Sequence, residues 1–213
     1  MPDTETNLRR YTRSGLPVSL ESRADGKKVI TGYAAVFYDP NDPGTEYRMW
    51  SDMVERIMPG AFDKALREDD VRGLFNHDDS AILGRTKSGT MRLSVDRKGL
   101  KYEIDPPDTS CARDLMQSLA RGDVDGSSFL FQPVVNTYRE VDGVYFVERN
   151  EVKLFDVGPV AFPAYESTEA SVRSVADAQA VRREIEEWAK SRRSNSVSMV
   201  KARAAAVAVA MAN

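Results

Sequence analysis

The strongest constraint on the fold is one alternating segment broken by a turn. Thr90-Met91-Arg92-Leu93-Ser94-Val95 alternates in polarity, Asp96-Arg97-Lys98-Gly99 supplies turn residues, and Leu100-Lys101-Tyr102-Glu103-Ile104 alternates again. Strand side chains point to opposite faces with a period of two, so the pattern reads as a β-hairpin with one apolar face. That face gathers Met91, Leu93 and Val95 with Leu100, Tyr102 and Ile104. Such a face has to be covered, and the rest of the chain supplies more of the same kind. Val29–Phe37 is rich in β-branched and aromatic residues and runs into the breakers Asp39-Pro40-Asn41-Asp42-Pro43-Gly44. Val54–Ile57, Ser127–Asn136, Val144–Glu148 and Glu151–Val157 also read as strands, with Asp142-Gly143 as a turn and Gly158-Pro159 closing the sheet region.

Two short helices interrupt the strands. One follows Pro59-Gly60, with Phe62, Ala65 and Leu66 at helical spacing. The other is capped by Thr109 or Ser110, carries the stripe Ala112, Leu115, Met116 and Leu119, and closes at Gly122. About seven or eight short strands with two helices predict a mostly β fold with helices (α+β), an antiparallel barrel or sandwich. Residues 1–16 read as a flexible arm, 17–172 as the folded unit, and 173–213 as a helical, basic, low-complexity tail. In that tail Ser174 and Asp177 are spaced like a capping box, and Val181, Ile185 and Trp188 share a helix face. Lys190, Arg192, Arg193, Lys201 and Arg203 follow without an acid.

Composition excludes several chemistries. The 213 residues hold one His and one Cys, which rules out an internal disulfide framework and a multi-ligand His/Cys zinc site. No metal or cofactor is expected. A formal net charge of −3 gives no global case for nucleic acid. Residues 1–28 lack a secretory signal, and no run approaches the length of a membrane span, so no membrane partner is expected. The lone thiol, Cys111, fits a cytoplasmic compartment.

Any imidazole mechanism must use His77, which follows the apolar pair Leu74-Phe75 in Asn76-His77-Asp78-Asp79. Ser127-Ser128 opens an apolar strand after a Gly-containing turn, where backbone N–H groups have access to an oxyanion. Glu148, Glu151 and Asp156 are the acids able to orient an imidazole. Strict alternation through Val152, Leu154 and Asp156 puts Glu151 on the opposite face, toward a cleft. No G-x-S-x-G elbow is present, and Leu83–Gly89 lacks the order of a phosphate loop.

Taken in order, these blocks resemble the prohead maturation proteases of tailed bacteriophages. The resemblance rests on Gly32-Tyr33-Ala34-Ala35-Val36-Phe37, Pro59-Gly60-Ala61-Phe62, Asn76-His77-Asp78 and Leu83-Gly84-Arg85-Thr86-Lys87-Ser88-Gly89-Thr90. It continues through Gly99-Leu100-Lys101-Tyr102, Ala112-Arg113-Asp114-Leu115, Gly126-Ser127-Ser128-Phe129 and Asp156–Tyr165. It implies a serine endopeptidase with a herpesvirus-protease-like antiparallel β-barrel surrounded by short helices. By the same resemblance His77 matches the general base and Ser128 the nucleophile, with Glu151 preferred as third member over Glu148 or Asp156. The partners implied are the major capsid protein and scaffold, as substrates inside the assembling procapsid in the host cytoplasm, together with self-association and self-cleavage in the tail. Leu130, Gly158 and Ala161 depart from the family's usual Gly, Ser and Thr, which leaves a second reading, a catalytically inactive capsid or scaffold assembly factor.

Overall fold

The computed structural model describes residues 9–13, 17–162 and 179–192. The expected capping box at Ser174 and Asp177 and the basic run beyond Arg192 lie outside the described residues. The strands are β1 (Arg9–Arg13), β2 (Ser19–Ser22), β3 (Lys28–Val36), β4 (Tyr47–Trp50), β5 (Met53–Ile57), β6 (Arg72–Leu74), β7 (Ile82–Arg85), β8 (Met91–Val95), β9 (Gly99–Ile104), β10 (Gly126–Val141) and β11 (Val144–Val160). Helix α1 is Ala65–Glu68, α2 is Ser110–Arg121, and α3 covers 179–192.

The chain is mostly β with a few helices. Among the described residues the strands form two sheets, one of seven strands along β1-β10-β11-β5-β4 with β6 attached to β11 and β7 to β6, and one of four along β2-β3-β9-β8. Among the described residues the pairings close neither sheet into the expected barrel, and they are not wholly antiparallel. One edge of β11 takes β5 along Tyr145–Arg149 and then β6 at Asp156–Val157, both in parallel. Parallel partners need crossovers, and the segment carrying α1 runs between β5 and β6.

The expected hairpin forms in register, with Met91 opposite Ile104, Leu93 opposite Tyr102 and Val95 opposite Leu100. Burial grades along it: Met91, Leu100, Tyr102 and Ile104 are in the core, whereas Val95 at the turn end is exposed. Helix α2 starts on the Thr109 side chain, which accepts from the Ala112 N–H, and ends at Gly122 in the left-handed conformation (φ 79°). Only glycine takes that φ without strain, and it buries Ala112, Leu115 and Leu119 against the sheets.

Three differences from the sequence reading bear on how the larger sheet is assembled. The two segments read as separate strands around Glu148 and Glu151 are one strand, which also runs through Gly158-Pro159 to Val160. Part of the arm, Arg9–Arg13, is an edge strand on β10. Helix α3 docks on the larger sheet, with Val181 and Ile185 packed against Met53 and Val147. It is also tied by Arg149, fully buried between Glu55 and Glu184, and by Arg182 bonding Asp52.

Candidate active site

Two consecutive serines on β10 meet opposite environments because strand side chains alternate. Ser127 shares a face with Phe129 and Phe131, whose rings stack at 4.9 Å in the core. Its Oγ lies 2.8 Å from the buried Tyr102 Oη of the other sheet, and Gly32 leaves the room, since a Cβ there would meet both oxygens. Burial pushes the Tyr102 phenol above its ordinary range, so it stays neutral. Ser128 faces the other way, with Leu130.

On the neighbouring strand Gly158 is opposite Ser128 and Asp156 opposite Leu130. Ser128 and Asp156 are therefore diagonal neighbours on one sheet face, a separation of about 7–8 Å that one imidazole with a hydrogen bond at each end spans. His77 fills that space. Its Nε2 is 2.6 Å from Ser128 Oγ and its Nδ1 is 2.5 Å from Asp156 Oδ1. Its side chain is only 9% exposed and that of Asp156 6%, so the pair is shielded from water. With Asp156 ionised, the ring carries its proton on Nδ1, donates it to the carboxylate, and accepts from the Ser128 hydroxyl at Nε2.

The loop between β6 and β7 aims His77 by an unusual backbone. Asn76 and His77 both have φ 56°, a left-handed conformation that costs a non-glycine residue about 1–3 kcal/mol. Hydrogen bonds hold it: the Asn76 N–H donates to the Pro159 carbonyl at 3.0 Å, and Asn76 Oδ1 accepts from the Ala161 N–H at 2.8 Å. Asp78, next to the histidine, does not orient it. Its carboxylate accepts from the Ser80 hydroxyl and N–H, which hold its pKa below the usual range and close the turn.

Gly158 is required by this approach. A Cβ at that position would stand 1.9 Å from the Leu74 carbonyl oxygen, so any side chain would push away the strand end that carries the His77 loop. Gly158 is thus matched to the close approach of the end of β6 beside β11.

Glu151, the acid preferred from sequence, is placed elsewhere. It lies five positions from Asp156, about 16 Å along an extended strand, and it pairs with Lys64 at 3.1 Å. Glu148 is also distant, paired with Arg56 and Arg139. Asp156 reaches the Ser128 face through a bulge. Leu130 is opposite Asp156 but Phe131 is opposite Leu154, so Phe155 is an extra residue on β11. Without it Asp156 would share the core face with Leu154; with it Asp156 turns to the Ser128 face. Among the described residues, no group of three or more His, Cys, Asp or Glu is placed to hold a metal ion. Cys111, in the first turn of α2, is half-buried and far along the chain from these groups.

A hydroxyl, an imidazole and a buried carboxylate in one hydrogen-bonded chain are the constellation of serine hydrolases. Residues 16–184 match the family model described as caudovirus prohead serine protease, and the chain belongs to that family. Among solved structures it is similar to the bacteriophage T4 capsid assembly protease, gp21, at 12% identity and a TM-score of 0.42, covering 75% of this chain and 100% of that one. No curated protein matches the chain.

Proposed function

We propose that this chain is a serine endopeptidase of capsid maturation, with Ser128 as nucleophile, His77 as general base and Asp156 as the orienting carboxylate. The observation that carries the reading is the continuous chain Ser128 Oγ–His77 Nε2 and His77 Nδ1–Asp156, at 2.6 and 2.5 Å. In the first step Ser128 Oγ attacks a peptide carbonyl while Nε2 takes its proton; the imidazolium then gives that proton to the leaving amine. Water repeats the sequence on the acyl-enzyme, releasing the new carboxylate and restoring Ser128. Asp156 holds the productive tautomer and stabilises the imidazolium, which its shielding from water strengthens. Asp156 replaces Glu151 in this role.

The substrates in this reading are scaffold or the scaffold-like segment of the major capsid protein, cleaved inside the assembling procapsid, and the chain's own tail within 173–213. Self-association belongs to the same reading. Membership of the prohead protease family supports the substrate class. The test is to co-express the chain with scaffold and capsid protein from its own phage and map the products by mass spectrometry. Cleavage that disappears in Ser128→Ala, with assembly of intact subunits continuing, is the expected result. Cleavage unchanged in that variant would sink the assignment, and absence of cleavage in the parent chain would favour the non-catalytic assembly factor.

A further inference from the structure

We propose that strand β1 occupies the peptide-binding edge of the site, so that an extended substrate must displace it to reach Ser128. This inference rests on the peptidase reading above. A strand has two edges, and one edge of β10 is filled by β11 from Gly126 to Val141. Along Ser127–Phe131 the other edge is filled by β1, antiparallel, with Thr12 opposite Ser128 and Arg13 opposite Ser127. Extended peptides are commonly held by adding a strand to an open sheet edge, where main-chain hydrogen bonds fix the register. The neighbouring strand β6 offers no such edge, because it lies between β11 and β7. The β10 edge covered by β1 is therefore the one that puts a peptide backbone beside the nucleophile.

Two further observations agree. Ser128 is 1% exposed, so a polypeptide cannot meet it without a neighbouring segment moving. And β1 is an appendage: it has five residues, ends the strand path, and falls outside residues 16–184, the segment the family shares. A strand that short, paired on one side, opens far more readily than the core. While it is paired, the apparent affinity of any competing peptide is reduced by the fraction of molecules in which the edge is open.

Proline separates the paired from the open state, because alternate N–H groups of β1 point into the ladder and the others point away. Two full-length variants cover both sets, Arg10→Pro with Thr12→Pro, and Arg9→Pro with Tyr11→Pro. The probe is a fluorescein-labelled peptide with the sequence of residues 7–15, read by fluorescence anisotropy. Hydrogen exchange at 127–131 reports the edge, and exchange in β9 and α2 reports whether the fold is intact. The expected result is that at least one variant binds the probe tenfold or more tightly than the parent. That variant should lose protection at 127–131, regain it with the peptide, and keep β9 and α2 protected. Equal binding by all three proteins, or binding by none with the fold intact, would overturn the proposal. A small fluorophosphonate, which needs no strand edge, is applied to the same three proteins. Failure to label Ser128 in any of them would count against the peptidase reading alone, since the peptide exchange does not depend on it.

Discussion

Strand β11 carries two buried polar clusters, one near each end, and they are built for different ends. Near its start Arg149 is fully buried, held between Glu55, equally buried, and Glu184 of α3, with the tilted ring pair of Tyr138 and Trp188 close by. Near its finish Asp156 holds His77 against Ser128. The first cluster opposes fixed charges and joins a helix to a sheet. The second contains one group, the imidazole, that can gain and lose a proton, and a hydroxyl that supplies one. Burial of polar groups thus does not by itself mark a functional site; a path for a proton does.

The largest expected effect is at Ser128, the proposed nucleophile. Ser128→Ala is expected to lower kcat/KM on a capsid or scaffold substrate by roughly 10^5–10^6-fold with an unchanged urea midpoint, because it removes chemistry and almost no packing. Asp156→Asn should cost about 10^3–10^4-fold in kcat, since an amide leaves the shape but favours the wrong tautomer of His77. The opposite pattern is expected at the other cluster. Arg149→Ala should lower stability by about 3–5 kcal/mol in urea denaturation, through the buried charge left on Glu55, and leave turnover per folded molecule within about twofold. Replacing both partners together, Arg149→Met with Glu55→Leu, should recover most of that loss.

Gly158→Ala tests the junction between fold and site. The new methyl must displace the Leu74 carbonyl, costing roughly 1–3 kcal/mol of stability, and it shifts the His77 loop enough to lower kcat by about 10^2-fold. The smallest effect is expected for Glu151→Gln. It removes a partly exposed pair with Lys64, so both the denaturation midpoint and the cleavage rate should match the parent within error. A large loss of rate in that variant would return the orienting role to Glu151.

Much of this was legible in the residues, for identifiable reasons. The β8–β9 hairpin and helix α2 are local structures whose signals, alternation with a turn and a capped apolar stripe, sit within a few residues of one another. His77 and Ser128 stand out in the sequence because a single imidazole leaves no competitor and because the surrounding motifs resemble a family. The choice of Ser128 over Ser127 agrees with alternation, which sends Ser127 to Tyr102 in the core. The contact of Asp156 with His77 is not legible in an unbroken alternation through Phe155, because one inserted residue reverses every later side chain on the strand. A composition or periodicity signal for that bulge is absent, since Phe155 fits either face. The parallel ladders onto β11 and the strand β1 are long-range pairings, set by where crossovers and termini can reach rather than by any local pattern.

Whether Ser128 is a nucleophile activated by His77 and Asp156 is decided by mapping the adduct of a fluorophosphonate on the full chain. A single phosphonylated residue at Ser128 is predicted, lost in His77→Ala, strongly slowed in Asp156→Asn, and formed at the parental rate in Glu151→Gln. No adduct on the folded parent protein, or an adduct on Ser127 in its place, would contradict it.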